Sequence, residues 1–262
     1  MHIYIITDLE GISGVDSIDM MDENSEGYKL ACERLMSDTN AAIEGAFAGG
    51  ADKVYVVDGH GSGQNFIKGK LHPDAIQVSA REFVKSEAST YDVDAFFSIG
   101  AHAMVGTENA FLDHTQYSIK WFDYKINGKS FGELGQQAIA FGLADIPLVM
   151  VSGDDAACAE AKELSPNLQI VRVKTAKGRN RADCISPEKA YESIFNAAKE
   201  AVRNIGNCKP YKIEFPVKLE LTFTRNDYCD EVMENSPYLK RCGRTVYKEL
   251  EKINNYHDLV VF

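Results

Sequence analysis

Five short apolar segments, rich in β-branched and aromatic residues, constrain the fold of this chain more than any other feature. Nearly continuous apolar runs of this length are typical of strands that are covered on both faces. Segments with helical periodicity lie between most of them, and alternation of strands and helices favours a parallel sheet in a layered α/β fold. The apolar segments are residues 3–6, 54–57, 95–99, 147–151 and 169–173.

Helical patterns and a change of pattern after Cys208 predict how the chain is divided. Apolar and polar residues alternate at 212–215 and 218–223, which predicts strands with one solvent-facing side. We therefore expect an α/β domain over residues 1–207, with a mostly parallel layered sheet and helices on both faces, and a smaller α+β portion over residues 208–262. The hydrophobic share of 45% is sufficient for a sizeable core. The helical patterns are at residues 27–48, 130–143, 154–164 and 187–204.

Composition excludes some classes of partner. With a formal charge of −11, the protein repels phosphate backbones, and no cluster of Lys and Arg offers a local exception. The six cysteines are scattered without a C-x-x-C pair, which is typical of reduced thiols. No basic leader precedes Asp8, and no apolar run approaches the roughly 18 residues of a membrane span. We expect a cytoplasmic protein with no nucleic-acid or membrane partner.

Acidic residues and histidines follow the ends of three predicted strands. Asp8 and Glu10 follow the first strand, His60 the second and His102 the third. Asp8 and Glu10 are two residues apart, so they project to the same side of an extended chain. In open parallel sheets, ligands bind outside the carboxyl ends of the strands. These four side chains are therefore expected to meet in one crevice.

Two carboxylates and two imidazoles without a nearby Lys or Arg indicate a bound cation. Burying them together is costly unless a divalent ion supplies the missing positive charge. Mixed nitrogen and oxygen ligands suit Zn²⁺ best, with Mn²⁺ or Co²⁺ as alternatives. Taken singly, each residue also fits a turn, a cap or a histidine bonded to backbone. Their repetition at successive strand ends favours the metal site.

Other local signals are weaker. Glu133 opens a helical pattern, where the helix dipole favours a carboxylate anyway. His114, taken alone, fits an exposed loop. A dinucleotide-binding fingerprint beginning at Gly59-x-Gly61 is excluded, because Gln64 stands where the third glycine is required.

Eight short motifs follow one another along most of residues 1–205. They are Asp8-x-Glu10-Gly11, Asp58-Gly59-His60, Lys70-Leu71-His72-Pro73, Gly100-Ala101-His102-Ala103, Asn127-Gly128, Gly132-Glu133-Leu134-Gly135, Val151-Ser152-Gly153-Asp154-Asp155 and Cys184-Ile185-Ser186-Pro187-Glu188-Lys189-Ala190. Each motif is weak alone, but in this order the chain resembles the D-aminopeptidase family of binuclear zinc peptidases. The chain departs from the family signature at Ile6, where the family has serine.

The resemblance implies a set of site residues and an activity. It implies that two zinc ions are held with Asp8 as the bridging ligand, and that metal-activated water hydrolyses a peptide bond. His114 becomes the catalytic candidate, as an oxyanion donor, a proton relay or a nucleophile. The implied substrate is a short peptide with a free N-terminal D-amino acid such as D-alanine, and the implied assembly is a ring-shaped homo-oligomer. The implied metal ligands are Asp8, Glu10, His60, His102 and Glu133.

Three other functions fit the same residues. A related two-metal amidohydrolase or phosphoesterase would keep the metal site and cleave a different bond. An aminopeptidase for L-peptides would differ in the shape of its pocket. A non-catalytic protein would use the site to store metal or to bind a small ligand.

Overall fold

The computed structural model describes residues 1–262, and its larger sheet has seven strands. Six of these strands are parallel, and only the last, β9, runs antiparallel to its neighbour. All five apolar segments are strands of this sheet, so the mostly parallel layered α/β prediction is confirmed. In spatial order the strands are β3 (Ile76–Val78), β2 (Lys53–Asp58), β1 (His2–Thr7), β4 (Ala95–Ala101), β7 (Leu148–Asp154), β8 (Gln169–Gly178) and β9 (Arg181–Cys184).

The order of these strands reverses at β1. From β1 the sheet extends through β2 to β3 on one side, and through β4 to β9 on the other. Connections that leave neighbouring strands in opposite directions open a crevice at the carboxyl ends of those strands. The long connections after β2 and β4, residues 59–75 and 102–120, begin at this crevice.

Most of the seven helices flank the larger sheet, and α6 packs against the smaller sheet. The helices are α1 (Glu26–Gly49), α2 (Ala80–Lys85), α3 (Glu133–Gly142), α4 (Asp155–Leu164), α5 (Pro187–Arg203), α6 (Asn226–Asn235) and α7 (Tyr256–Val260). Helices α1 and α5 pack closely, because a Cβ on Gly45 would lie only 2.3 Å from the carbonyl oxygen of Phe195. Helices α2 and α3 pack near β1, where Phe83 and Phe141 contact the ring of Tyr4. No helix combines the length and the apolar character that a membrane span requires.

The smaller sheet is antiparallel and takes strands from two distant parts of the chain. Two of its five strands come from residues 121–130, so this sheet is not built from residues 208–262 alone. The division of the chain at residue 207 stays a prediction. In spatial order the strands are β11 (Lys240–Cys242), β12 (Thr245–Leu250), β10 (Val217–Phe223), β5 (Trp121–Ile126) and β6 (Lys129–Ser130).

The strand predicted at residues 212–215 is wrong, because these residues lie outside both sheets. Lys212 Nζ donates instead to the carbonyl oxygen of Gly142 and to Asp145 Oδ1, at 2.8 and 2.5 Å. The segment is thus held against the end of α3. Without a partner strand, alternation of polar and apolar residues does not produce a strand.

Candidate metal centre

The structure brings all six predicted site residues together at the carboxyl end of the larger sheet. Asp8 lies between the others: its Oδ1 is 3.2 Å from His60 Nδ1, and its Oδ2 is 3.3 Å from His102 Nε2. Glu10 Oε2 is 2.9 Å from the same nitrogen of His60. The six residues are Asp8, Glu10, His60, His102, His114 and Glu133.

A close approach of two backbones places the acidic turn after β1 beside the end of β4. The N–H of Asp8 donates to the carbonyl oxygen of Ile99, and the N–H of Gly11 donates to that of Gly100, both at 2.8 Å. A Cβ on Gly11 would lie 2.1 Å from the carbonyl oxygen of Ala101. Only glycine fits such an approach, so Gly11 is required to bring Asp8 towards β4.

Asp58 fixes the turn that carries His60. Its buried carboxylate accepts hydrogen bonds from the backbone N–H and the side-chain amide of Asn65, and its Oδ1 accepts the N–H of His60 at 3.3 Å. The loop after β2 is therefore closed around Asp58. This closure directs the imidazole of His60 towards Asp8 and Glu10.

His102 has a buried nitrogen without a hydrogen-bond partner. Its Nδ1 is 3.0 Å from the carbonyl oxygen of Ala103. Because a carbonyl can only accept, Nδ1 carries the proton and Nε2 keeps its lone pair in the neutral ring. Nε2 lies 3.3 Å from Asp8 and 3.5 Å from Glu133, yet it has no partner. A cation among these three groups would satisfy this nitrogen and both carboxylates.

His114 lies against the cluster with its ring stacked on that of His102. The ring centroids are 3.9 Å apart and the rings are inclined by 12°. His114 Nδ1 is 2.8 Å from the carbonyl oxygen of Leu112. Its Nε2 is 3.9 Å from both Glu10 Oε1 and Glu133 Oε1, so the unconstrained nitrogen points to the centre.

The cluster has a strong negative potential. Burial opposes protonation of His60, but the carboxylates of Glu10 and Asp8 outweigh it and raise the pKa of this imidazole to about 11. Burial also opposes protonation of His102, and its pKa is nevertheless raised well above the usual value by Asp8 and Glu133. These shifts mean that the assembled carboxylates favour any bound positive charge.

The ligand atoms form two groups of three. In each group, the imidazole nitrogens and carboxylate oxygens lie within 4.8 Å of one another. Asp8 reaches the other group through Oδ2. Nitrogen and oxygen donors at this spacing fit zinc, and the unpartnered nitrogen of His102 fits a ligand role. The groups are Asp8, Glu10 and His60, and His102, His114 and Glu133.

Gln116 and Tyr256 support Glu133, a role that no sequence pattern predicts. The backbone N–H of Gln116 donates to Glu133 Oε1 at 2.7 Å, from a residue with a positive φ of 58°. The side-chain amide of Gln116 donates to Gln136 Oε1 and to the hydroxyl oxygen of Tyr256, both at 2.9 Å. A residue 140 positions later in the chain therefore helps to hold the loop that orients Glu133.

Lys174 supports the turn after β1 and was also not predicted. Its buried Nζ donates to the carbonyl oxygens of Glu10 and Val15, both at 2.6 Å. Burial lowers the pKa of this lysine to about 8. Lys174 thus contacts the backbone of Glu10, and its hydrogen bonds leave the carboxylate of Glu10 available to a cation.

A cavity of about 860 Å³ opens beside the cluster. Five of the six predicted residues line it, while His102 is buried behind them. Its other lining residues include Tyr117, Ile119 and Arg179. The candidate metal ligands are therefore accessible to a small organic molecule.

Comparisons with known proteins agree with this geometry. The sequence profile of the D-aminopeptidase family matches residues 1–261. The D-aminopeptidase of Bacillus subtilis (strain 168) is 32% identical over 214 residues, which cover 80% of this chain and 77% of that protein. A solved structure, described as the Zn-dependent D-aminopeptidase DppA from Bacillus subtilis, a self-compartmentalizing protease, has a TM-score of 0.91 and 26% identity. The alignment covers 99% of this chain and 95% of that chain. This chain belongs to the D-aminopeptidase family.

Proposed function

We propose that this protein is a zinc-dependent aminopeptidase that releases N-terminal D-amino acids, such as D-alanine, from short peptides. The observation that carries the proposal is the position of Asp8, which belongs to one group of metal-ligating atoms and reaches the other through Oδ2. Both groups lie beside an open cavity. Family membership supports the substrate class, since the matching relatives are named D-aminopeptidases. The name of the solved relative supports zinc as the metal.

The ligand groups suggest how the chain would hold two zinc ions. Asp8, Glu10 and His60 would hold one ion, and His102 and Glu133 the other, with Asp8 as the bridge. When bound, zinc would polarise the scissile carbonyl and lower the pKa of water. Two ions per subunit are proposed because both groups contain carboxylate and imidazole ligands.

His114 would act on protons or on the scissile carbonyl. Its Nδ1 proton is held by the carbonyl oxygen of Leu112, so the neutral ring has its free lone pair on Nε2. This nitrogen can accept a proton or attack a carbonyl, and in the protonated ring it can donate to a developing oxyanion or to the leaving amine. Stacking on His102 fixes the plane of the ring.

We also propose a homo-oligomeric assembly. Tyr117, Ile119 and Phe122 are 60, 71 and 58% exposed, and the first two line the cavity. Burial of these apolar side chains against a second copy would remove them from water. The solved relative is described as self-compartmentalizing, which supports a ring that encloses the cavity. Location in the cytoplasm stays a prediction.

Metal analysis combined with a substrate panel tests the proposed function. We expect about two zinc ions per chain, hydrolysis of D-Ala-D-Ala in preference to L-Ala-L-Ala, and loss of activity on chelation that is reversed by zinc. Full activity of metal-free protein would contradict the proposal. Preference for the L-peptide, or for a nitrophenyl phosphate assayed in parallel, would favour one of the alternative hydrolases.

A further inference from the structure

We infer that Arg179 binds the free C-terminal carboxylate of the substrate and thereby selects short peptides. The inference rests on the proposed peptidase function and extends it to the other end of the substrate. The metal cluster would act at the N-terminal residue, whereas Arg179 would recognise the chain end that leaves as product.

The charges around the cavity single out Arg179. It is the only Lys or Arg among the lining residues, and the protein as a whole has a charge of −11. A peptide carboxylate in this cavity would be repelled by most of its surroundings and attracted at this position. The acidic residues and histidines that line the cavity are Asp8, Glu10, His60, Asp113, His114 and Glu133.

Existing contacts hold the guanidinium but leave part of it available. Arg179 Nε is 3.1 Å from Asp113 Oδ1, and Nη2 donates to the Asp113 carbonyl oxygen at 3.2 Å. Nη1 donates to Asn180 Oδ1 at 3.3 Å. These contacts use three of the five donors of a guanidinium and leave one on each terminal nitrogen. Such a pair binds a carboxylate with two parallel hydrogen bonds, and the side chain is 44% exposed.

Arg179 is tied to the segment that carries His114. The N–H of Leu112 donates to the Arg179 carbonyl oxygen at 2.7 Å, and Asp113, which holds the guanidinium, directly precedes His114. Asp113 is itself fixed by the N–H of Gly106 at 2.7 Å. One extended residue spans about 3.3–3.6 Å. Because the residue that holds the guanidinium is the chain neighbour of His114, the carboxylate that Arg179 would bind belongs to a residue one or two positions beyond the scissile bond, as in a di- or tripeptide.

The substitution Arg179→Met tests the inference, with Arg181→Met as the matched control. Arg181 lies in the same hairpin, is exposed and does not line the cavity. The substrates are D-Ala-D-Ala and the same peptide with a C-terminal amide. We expect wild-type kcat/KM to be about 10–100-fold higher for the free acid, as for a charged hydrogen-bonded pair. Arg179→Met should remove this preference, mainly through KM, and Arg181→Met should retain it.

Two results would overturn the role of Arg179: equal wild-type kcat/KM for the acid and the amide, or an Arg179→Met variant that loses activity equally on both. Failure of the proposed function looks different, because the zinc-loaded wild type would then hydrolyse neither peptide. In that case calorimetry compares binding of the two peptides to zinc-loaded wild type and Arg179→Met. Equal wild-type affinity for the acid and the amide overturns the inference.

Discussion

His102 and His114 each use Nδ1 to bind a backbone carbonyl, and this leaves both Nε2 atoms free at the centre of the cluster. Second hydrogen bonds of this kind fix the tautomer and the orientation of a metal-binding or catalytic imidazole. The two rings differ in access, because His102 is buried whereas His114 lines the cavity. This difference supports a ligand role for the first and a substrate-facing role for the second.

Replacement of His114 by alanine separates catalysis from metal binding. We expect kcat to fall by about 10²–10⁴-fold, the range for loss of a general acid or base, with zinc content unchanged. His257→Ala, on helix α7 and outside the cavity, is the control. Unchanged turnover would remove His114 from the catalytic machinery, whereas loss of one zinc ion would make it a ligand.

Gly11→Ala tests the close approach between the turn after β1 and the end of β4. The new methyl group would lie 2.1 Å from the carbonyl oxygen of Ala101, so one backbone must move. We expect a loss of stability of about 1–3 kcal/mol or more and weaker zinc binding, because Asp8 moves away from His102. Gly206→Ala is the control, since a Cβ there meets nothing within 4 Å. Normal melting and zinc affinity of Gly11→Ala would contradict this explanation.

Asp38 gives the protein a predictable pH dependence of stability. Burial raises its pKa from 3.8 to about 6, although it accepts the N–H and the hydroxyl of Ser13. Between these values the native state retains a proton that the unfolded state has released, so the free energy of unfolding falls as pH rises from about 4 to 6. The stability of the wild type relative to Asp38→Asn should therefore decrease between pH 4 and pH 7 in denaturant titrations. A pH-independent difference would contradict the raised pKa.

Among the structural elements, the short helix α7 connects the end of the chain to the metal centre. The hydroxyl of Tyr256 donates to Gln136 Oε1 at 3.1 Å and accepts the amide of Gln116 at 2.9 Å. Gln116 in turn holds Glu133 through its backbone N–H. The C-terminal residues therefore contribute to the orientation of a proposed metal ligand at the start of α3.

Tyr256→Phe measures this contribution. The ring remains, but the hydroxyl that accepts from Gln116 is lost, so the loop that orients Glu133 becomes less fixed. We expect zinc affinity, measured by competition with a chelator, to fall by up to about tenfold, since outer partners of metal ligands have effects of this order. Tyr238→Phe removes an exposed hydroxyl elsewhere and should have no effect. Equal zinc affinity of the two variants would exclude a role for α7.

Elements with a continuous local pattern could be predicted from the sequence, and elements that depend on distant pairing could not. The helix predicted at 187–204 is observed at Pro187–Arg203, because Ser186 caps it through the N–H of Lys189 and Pro187 occupies its first position. In contrast, β5 joins β10 through pairs such as Leu219 with Ile126 and Phe223 with Trp121, which lie far apart in the chain and which no local pattern indicates. Strand β6 enters the same sheet only through its hairpin with β5.

The same distinction applies to the candidate site. Asp8, Glu10, His60 and His102 were predictable because each follows a strand and the ends of parallel strands share one edge. Glu133 and His114 required the family resemblance. Gln116, Lys174, Arg179 and Tyr256 act through backbone carbonyls, backbone amides or neighbouring side chains that only the folded chain brings close. Sequence patterns do not encode such contacts.

At the scale of the whole molecule, the metal centre and the proposed assembly are separable. All six site residues come from one chain, so a single subunit contains the complete set of proposed ligands. The apolar side chains of Tyr117, Ile119 and Phe122 are exposed near the cavity, and an oligomer would bury them. Assembly is therefore expected to control access to the cavity while zinc binding remains a property of the subunit.

Phe122→Glu tests whether zinc binding is independent of oligomeric assembly. Phe122 lies on β5, is 58% exposed and does not line the cavity, so a charge there should oppose burial against a second copy without changing the metal centre. We expect sedimentation to show smaller particles than for the wild type, with about two zinc ions per chain still bound. Tyr238→Glu, at an exposed aromatic position just before β11, should keep the wild-type mass. A wild-type protein that sediments as a monomer would exclude the oligomer, and loss of zinc from Phe122→Glu would show that the centre depends on assembly.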